Sequence, residues 1–229
     1  MPAPVSDVVP SADSLLPEGF TPAARRALAK ADPILGAWMK QVGRLTLTVE
    51  APHSPFQALA RSIAYQQLTG KAAATIFGRV CARVGEGKRF TPEAVLAVSV
   101  EHLREAGLSG AKTAALRDLA AKALEGEVPT LARARRMSDA ALVERLTKVR
   151  GIGQWTVEML LIFRLGRPDI LPVDDYGVRK GFMRAYGLSA LPTPKELLAH
   201  GERWRPWRSV ASWYMWRAAD LPESPASAE

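Results

Sequence analysis

The chain has 229 residues, 48% of them hydrophobic and 24% charged, which fits a folded globular protein and excludes global disorder. Lys and Arg number 31 against 23 Asp and Glu, a net charge of +8 that favours a polyanionic partner. The single Cys81 excludes an internal disulfide, a four-cysteine iron–sulfur cluster and a Cys-based zinc site, and His53, His102 and His200 show no metal-ligand spacing.

No apolar run approaches the ~20 residues needed to span a bilayer, and the N-terminus lacks a basic region followed by an apolar one. A cytoplasmic location is the expectation. Residues 1–18 and 221–229 are rich in Pro, Ser and Ala without a sustained period and predict disordered tails around a helical domain over 19–220. Thr21-Pro22 and Thr91-Pro92 read as helix N-caps followed by proline at the first helical position. Leu45-Thr46-Leu47-Thr48-Val49 alternates as a strand or short extended segment would. Ser54-Pro55-Phe56-Gln57 predicts a capping box and opens a stripe of Phe56, Leu59, Ala60 and Ile63. The Thr69-Gly70 break sets Leu68 at a tight turn, where it either packs inward or stands out as an apolar wedge. Ile76, Phe77, Val80 and Cys81 form the next stripe, and Leu116, Leu119 and Leu124 another, stopped by Gly126. A second capping box stands at Thr193-Pro194-Lys195-Glu196. The reading is all-α, with eight to ten helices.

Residues 138–165 carry the most information. Ser138 caps a helix through about Lys148, the turn Val149-Arg150-Gly151-Ile152-Gly153 follows, and a second helix starts at Gln154. Glycines at 151 and 153 permit a sharp turn and leave room for another backbone to approach. The first N–H groups of the second helix have no intrahelical partner and suit a DNA phosphate, a contact that positions DNA without reading its sequence. An ordinary αα-hairpin turn would show the same glycines. Further on, Leu171-Pro172-Val173-Asp174-Asp175-Tyr176 leads into a helix from about Asp175 to Tyr186, stopped by Gly187. Either aspartate could simply be the N-cap, yet two exceed the needs of one cap. An aspartate at a helix N-terminus suits a developing positive charge. Trp204, Trp207, Trp213 and Trp216 cluster behind the aspartates, and Trp155 opens the second hairpin helix. Such rings are core or rim in most proteins, but an extruded, cationic base needs stacking surfaces of this kind.

Taken together, Ser62-Ile63-Ala64-Tyr65-Gln66-Gln67-Leu68, Gly107-Leu108-Ser109-Gly110-Ala111-Lys112, the segment from Val149 to Tyr176, and Glu202-Arg203-Trp204-Arg205-Pro206-Trp207-Arg208-Ser209 resemble the helix–hairpin–helix (HhH-GPD) DNA glycosylases. Within them the chain resembles the AlkA-type 3-methyladenine DNA glycosylase II group, in a short form without an N-terminal β-rich domain. The resemblance implies a two-lobed helical fold with the active-site cleft between the lobes. It implies Asp175 as the catalytic carboxylate, and Trp155, Tyr176, Trp216 and Met159 as base-contacting residues. Leu68 falls on the family's intercalating position, which favours the wedge; Gln67, Gly151, Gly153, Thr156 and Arg150 are expected at the DNA. The backbone carbonyls of Thr147, Val149 and Ile152 are expected to hold a structural Na+ or K+, and no cofactor is expected for catalysis.

Met159 stands where the best-known member has a pocket tyrosine. Trp155 stands where relatives that also cut the backbone carry a Schiff-base lysine. The resemblance therefore implies a monofunctional glycosylase of base excision repair that acts as a monomer on double-stranded DNA containing alkylated bases, in the cytoplasm at the nucleoid. Some of Lys148, Arg150, Arg179 and Lys180 are expected to form a basic face that binds duplex phosphates. The alternatives are a non-catalytic helix–hairpin–helix binder of DNA structure, a bifunctional glycosylase–lyase for oxidised bases, and an RNA-binding helical protein, the last without a supporting motif.

Overall fold

The computed structural model describes residues 20–50, 54–85 and 90–221. Both predicted tails lie outside the described residues, save Leu221. In chain order the helices are α1 (Pro22–Ala31), α2 (Pro33–Val42), α3 (Pro55–Tyr65), α4 (Gly70–Gly85), α5 (Pro92–Ala97), α6 (Val100–Glu105), α7 (Gly110–Leu124), α8 (Leu131–Arg136), α9 (Asp139–Leu146), α10 (Gln154–Phe163), α11 (Tyr176–Ala185), α12 (Pro194–Gly201) and α13 (Arg208–Asp220), with a 3-10 turn at Glu202–Trp204. Thirteen α-helices among the described residues exceed the eight to ten expected. Short caps such as Ser99, which accepts the His102 N–H, open six-residue helices whose period is too brief to read. None of the described helices is long and apolar enough to cross a membrane.

The caps form where the sequence predicts them. Thr21, Ser54, Thr91, Ser138 and Thr193 each accept a backbone N–H three residues on. Only Thr193 completes a capping box, with Glu196 bonded back to its N–H at 2.7 Å. At Ser54 the box is half made, because the Gln57 amide donates to the Phe90 carbonyl instead, at 3.1 Å. Residues 45–49 form neither helix nor strand: Leu45 and Leu47 are buried while Thr46 and Thr48 face solvent, so the alternation reflects burial without a sheet. Leu124, expected in the α7 stripe, is 51% exposed at the helix end.

The described residues form two compact units. One comprises 54–85 and 90–160. There α3 and α5 pack on α7 and α4 packs on α3, and Leu59, Ile63, Leu103, Leu116, Leu119, Leu142 and Leu146 fill the core. Each such side chain contributes about 1.5–3 kcal/mol on burial.

The other unit comprises 20–50 and 161–221. Its centre is the contact of α11 with α13, which is backbone-close: a Cβ at Gly181 would lie 1.8 Å from the Met215 carbonyl oxygen. Beside it, Asp32 caps α2 and gathers a polar hub. Its Oδ1 accepts the Leu35 N–H at 3.1 Å. Its Oδ2 accepts the Tyr186 hydroxyl at 2.5 Å and the Trp204 indole N–H at 2.9 Å, and lies 2.9 Å from His200 Nε2. Burial pushes the Asp32 carboxyl up, but the hydrogen bonds from His200, Tyr186, Trp204 and Leu35 outweigh it and hold the group well below the usual carboxylate range. Burial and the bond to Asp32 push the Tyr186 hydroxyl up, so it remains the donor.

Candidate active site

In the first unit, α9 and the start of α10, up to Leu160, are joined by the expected turn. α9 ends at Leu146, two residues earlier than predicted, and Thr147 is its C-cap. Val149 and Ile152 are buried and anchor the turn, and the Ile152 N–H donates to the Val149 carbonyl at 3.1 Å. The two glycines differ. Gly151 has φ +76, and a Cβ there would sit 3.2 Å from the Ala115 Cβ, so both backbone and packing select glycine. Gly153 has ordinary φ, and a Cβ there would meet nothing within 4 Å, so the fold itself does not require it.

The Arg150 N–H donates to Asp118 Oδ2 at 2.7 Å, while its side chain is exposed. Thr156 is buried, and its N–H already donates to the Gly153 carbonyl at 3.0 Å. Trp155 is 39% exposed in the first turn of α10, and Met159, one turn on and half-buried, shares its helix face. Between α3 and α4, Leu68 is half-buried and follows Gln67, which is exposed in the left-handed region at φ +57.

In the second unit, the Arg208-Ser209 motif fixes the loop leading to the aspartates. Asp169 Oδ1 accepts Arg208 Nε at 2.8 Å, and Ser209 Oγ accepts the Ile170 N–H at 2.9 Å while donating to the Arg167 carbonyl at 2.7 Å. The chain then turns, the Asp175 N–H donating to the Pro172 carbonyl at 3.1 Å. Geometry separates the two aspartates. Asp174 is exposed; Asp175 is buried and caps α11, its Oδ1 accepting the Val178 N–H at 2.8 Å. The same oxygen accepts the Trp216 indole N–H at 2.8 Å. Capping and a clamped carboxylate thus coincide in one residue. Tyr176, next in sequence, is 54% exposed.

Of the four clustered tryptophans, Trp216 bonds to Asp175. Trp204 is fully buried on Asp32 and Trp213 is buried with Arg217 over its ring, as most tryptophans are in a core, while Trp207 is half-buried just before α13. Phe163, which nothing in the sequence singles out, lies 5.5 Å from the Trp216 ring centre at 32° and covers one side of it. Gly177 was missed for the same reason: a Cβ there would lie 2.8 Å from Trp216 Cδ1 and 3.1 Å from Asp175 Oδ1, so the bare glycine is what lets the indole close on the carboxylate. Arg179, expected on the basic face, donates its Nε to the Pro192 carbonyl at 2.8 Å.

Residues 60–206 match the family model of the HhH-GPD superfamily base excision DNA repair proteins. The chain belongs to that superfamily. The HhH-GPD match takes in the hairpin and Asp175 and stops short of Trp216. The chain is 40% identical over 169 residues to DNA-3-methyladenine glycosylase 1 of Schizosaccharomyces pombe, covering 74% of each chain. Among solved structures it resembles the S. pombe 3-methyladenine DNA glycosylase in complex with abasic DNA, with a TM-score of 0.77, 37% identity and coverage of 87% of this chain and 97% of that one. It also resembles the DNA-3-methyladenine glycosidase of Bacillus halodurans, with a TM-score of 0.79, 36% identity and coverage of 88% and 90%. The chain thus spans 97% and 90% of these two solved structures.

Proposed function

We propose that this chain is a monofunctional DNA N-glycosylase of base excision repair that hydrolyses the glycosidic bond of alkylated bases such as 3-methyladenine and 7-methylguanine. The observation that carries this reading is the buried Asp175 carboxylate, held on one oxygen by Val178 and Trp216 in a chain similar to 3-methyladenine glycosylases. An N-alkylated purine is already cationic and leaves without a strong general acid. What the reaction lacks is stabilisation of an oxocarbenium-like sugar and an oriented water. A fixed carboxylate supplies both, as one half of the pair used in glycoside hydrolysis.

The remaining roles follow. Leu68 fills the gap left by the extruded nucleotide, with Gln67 beside it. The backbone at Gly151 and Gly153, with Thr156 and the Arg150 side chain, meets phosphate; the open space at Gly153 suits that approach. Lys148 is exposed and joins this face; Arg179 uses its Nε on the Pro192 carbonyl and keeps its terminal N–H groups for phosphate. The Thr147, Val149 and Ile152 carbonyls fit a structural Na+ or K+: they are hard oxygen donors where α9 ends, and a carbonyl that already accepts one N–H keeps a second lone pair. In the first unit Trp155 and Met159, and in the second Tyr176 and Trp216, are the residues this reading assigns to base contact. The lack of an amine at Trp155 favours water over a Schiff base. The enzyme acts as a monomer on double-stranded DNA, in the cytoplasm at the nucleoid.

The test is incubation with methylated duplex DNA and chromatography of the products. Free 3-methyladenine and 7-methylguanine, with abasic sites in an uncut strand, are expected. Strand cleavage with a borohydride-trapped covalent adduct would make the enzyme a lyase, and tight binding without release would make it a binder. In the same assay Gly177→Ala is expected to slow release at least about tenfold with an unchanged circular dichroism spectrum, because the new methyl group displaces Trp216 from Asp175.

A further inference from the structure

The motif Gly107–Lys112 and the residue Gln66 have no part in the chemistry above, yet they join the two elements proposed to handle DNA. α3 ends at Tyr65, and Gln66 leaves the helix at φ −53, ψ 132. The carbonyls of a helix's last turn have no continuing partner. Here two oxygens of that end, on Ala64 and Gln66, both accept from Lys112 Nζ, at 2.9 and 2.6 Å. The Gln66 amide reaches the other way and donates to the Gly151 carbonyl at 2.8 Å.

Both anchors are carried on one helix. Lys112, Ala115 and Asp118 recur at threes along α7 and so lie along one side of it. Lys112 holds the end of α3, Ala115 packs beneath Gly151, and Asp118 accepts the Arg150 N–H at 2.7 Å. Lys122 steadies Asp118 from one turn on, at 3.7 Å. Next to the Lys112 anchor stands Gln67 at φ +57, the only non-glycine residue with positive φ among those described. A left-handed residue costs about 1–2 kcal/mol and persists only where its surroundings hold it.

We infer that this side of α7 is a frame that fixes the Leu68 turn relative to the hairpin, and that Lys112 and Gln66 are positioning residues for base extrusion. The inference rests on the reading of Leu68 as the wedge. A wedge works only if it enters the duplex at a set distance from the phosphate grip, and Lys112 and Gln66 set that distance by direct bonds. Burial pushes the Lys112 ammonium down from its ordinary value, in keeping with a cation whose main partners are these carbonyls.

The experiment compares single-turnover release of 7-methylguanine opposite cytosine with release of the same base opposite an abasic site, where extrusion costs little. Leu68→Ala, Lys112→Met, Lys112→Arg and Gln66→Met are run beside the wild type, with thermal unfolding midpoints measured for each. Leu68→Ala, Lys112→Met and Gln66→Met are each expected to slow the paired substrate about tenfold or more and the pre-opened one about twofold or less, since only the paired substrate needs the wedge in register. Lys112→Arg keeps donors for the carbonyls and is expected to recover most of the paired-substrate rate.

If Leu68→Ala is selective in this way and folded Lys112→Met and Gln66→Met are not, the frame is overturned and the wedge reading stands. Should Leu68→Ala slow both substrates equally, the wedge reading falls and the inference falls with it. Gln66→Met decides the matter alone if Lys112→Met fails to fold, because Gln66 bonds the hairpin without the ammonium.

Discussion

Asp175→Asn is expected to lose about 10²–10³-fold in single-turnover base release while binding the same duplex as tightly as the wild type. The amide has the shape of the carboxylate, and its oxygen can still accept from Val178 N–H and Trp216 Nε1, so the start of α11 stays in place. Only the charge facing the departing base and the forming oxocarbenium is removed. Asp175→Ala would be a poorer test, since losing the cap also costs about 1 kcal/mol of stability. Asp174→Asn, on an exposed side chain, is expected to stay within about threefold of wild type, as surface substitutions generally do. A wild-type rate for Asp175→Asn would sink the assignment, and the reverse ranking would move the role to Asp174.

The features legible in the sequence are those set by local chemistry. A Ser or Thr before proline caps a helix because its hydroxyl reaches an N–H three residues on, and no distant residue is needed; Thr21, Ser54, Thr91 and Thr193 all do so. The hairpin was legible for the same reason, through Gly151 and the cap at Ser138. Features that depend on a remote partner were not. Gln57 was expected to bond back to its own cap, but a carbonyl at Phe90 competes for the amide. The choice between Asp174 and Asp175 turns on Trp216, which stands forty-one residues beyond Asp175. Gly177 reads as a weak helix residue until the indole is placed 2.8 Å from its missing Cβ. Core and stacking roles could not be told apart for Trp204 because its partner, Asp32, stands 172 residues away.

Asp32→Ala is expected to cost about 3–5 kcal/mol of unfolding free energy at neutral pH, read from the urea midpoint, because it strands donors on buried Leu35 and Trp204 and on half-buried Tyr186. The pH dependence separates the charge from the packing. The folded-state pKa of Asp32 lies well below the ordinary carboxylate value of about 3.9. Below that ordinary value the unfolded chain binds a proton that the native state does not, so stability falls as pH falls. The Asp32 contribution is therefore fully present above about pH 5 and drains away below about pH 4. Asp32→Asn removes this dependence, so the stability gap between it and the wild type is expected to be widest near neutrality and to narrow on acidification. A gap that stays constant down to about pH 3 would mean that the hub acts through shape and hydrogen bonding alone. The two aspartates would then differ in kind. Asp175 accepts two donors on one oxygen beside an exposed tyrosine, whereas Asp32 is buried and accepts from its own fold on both oxygens.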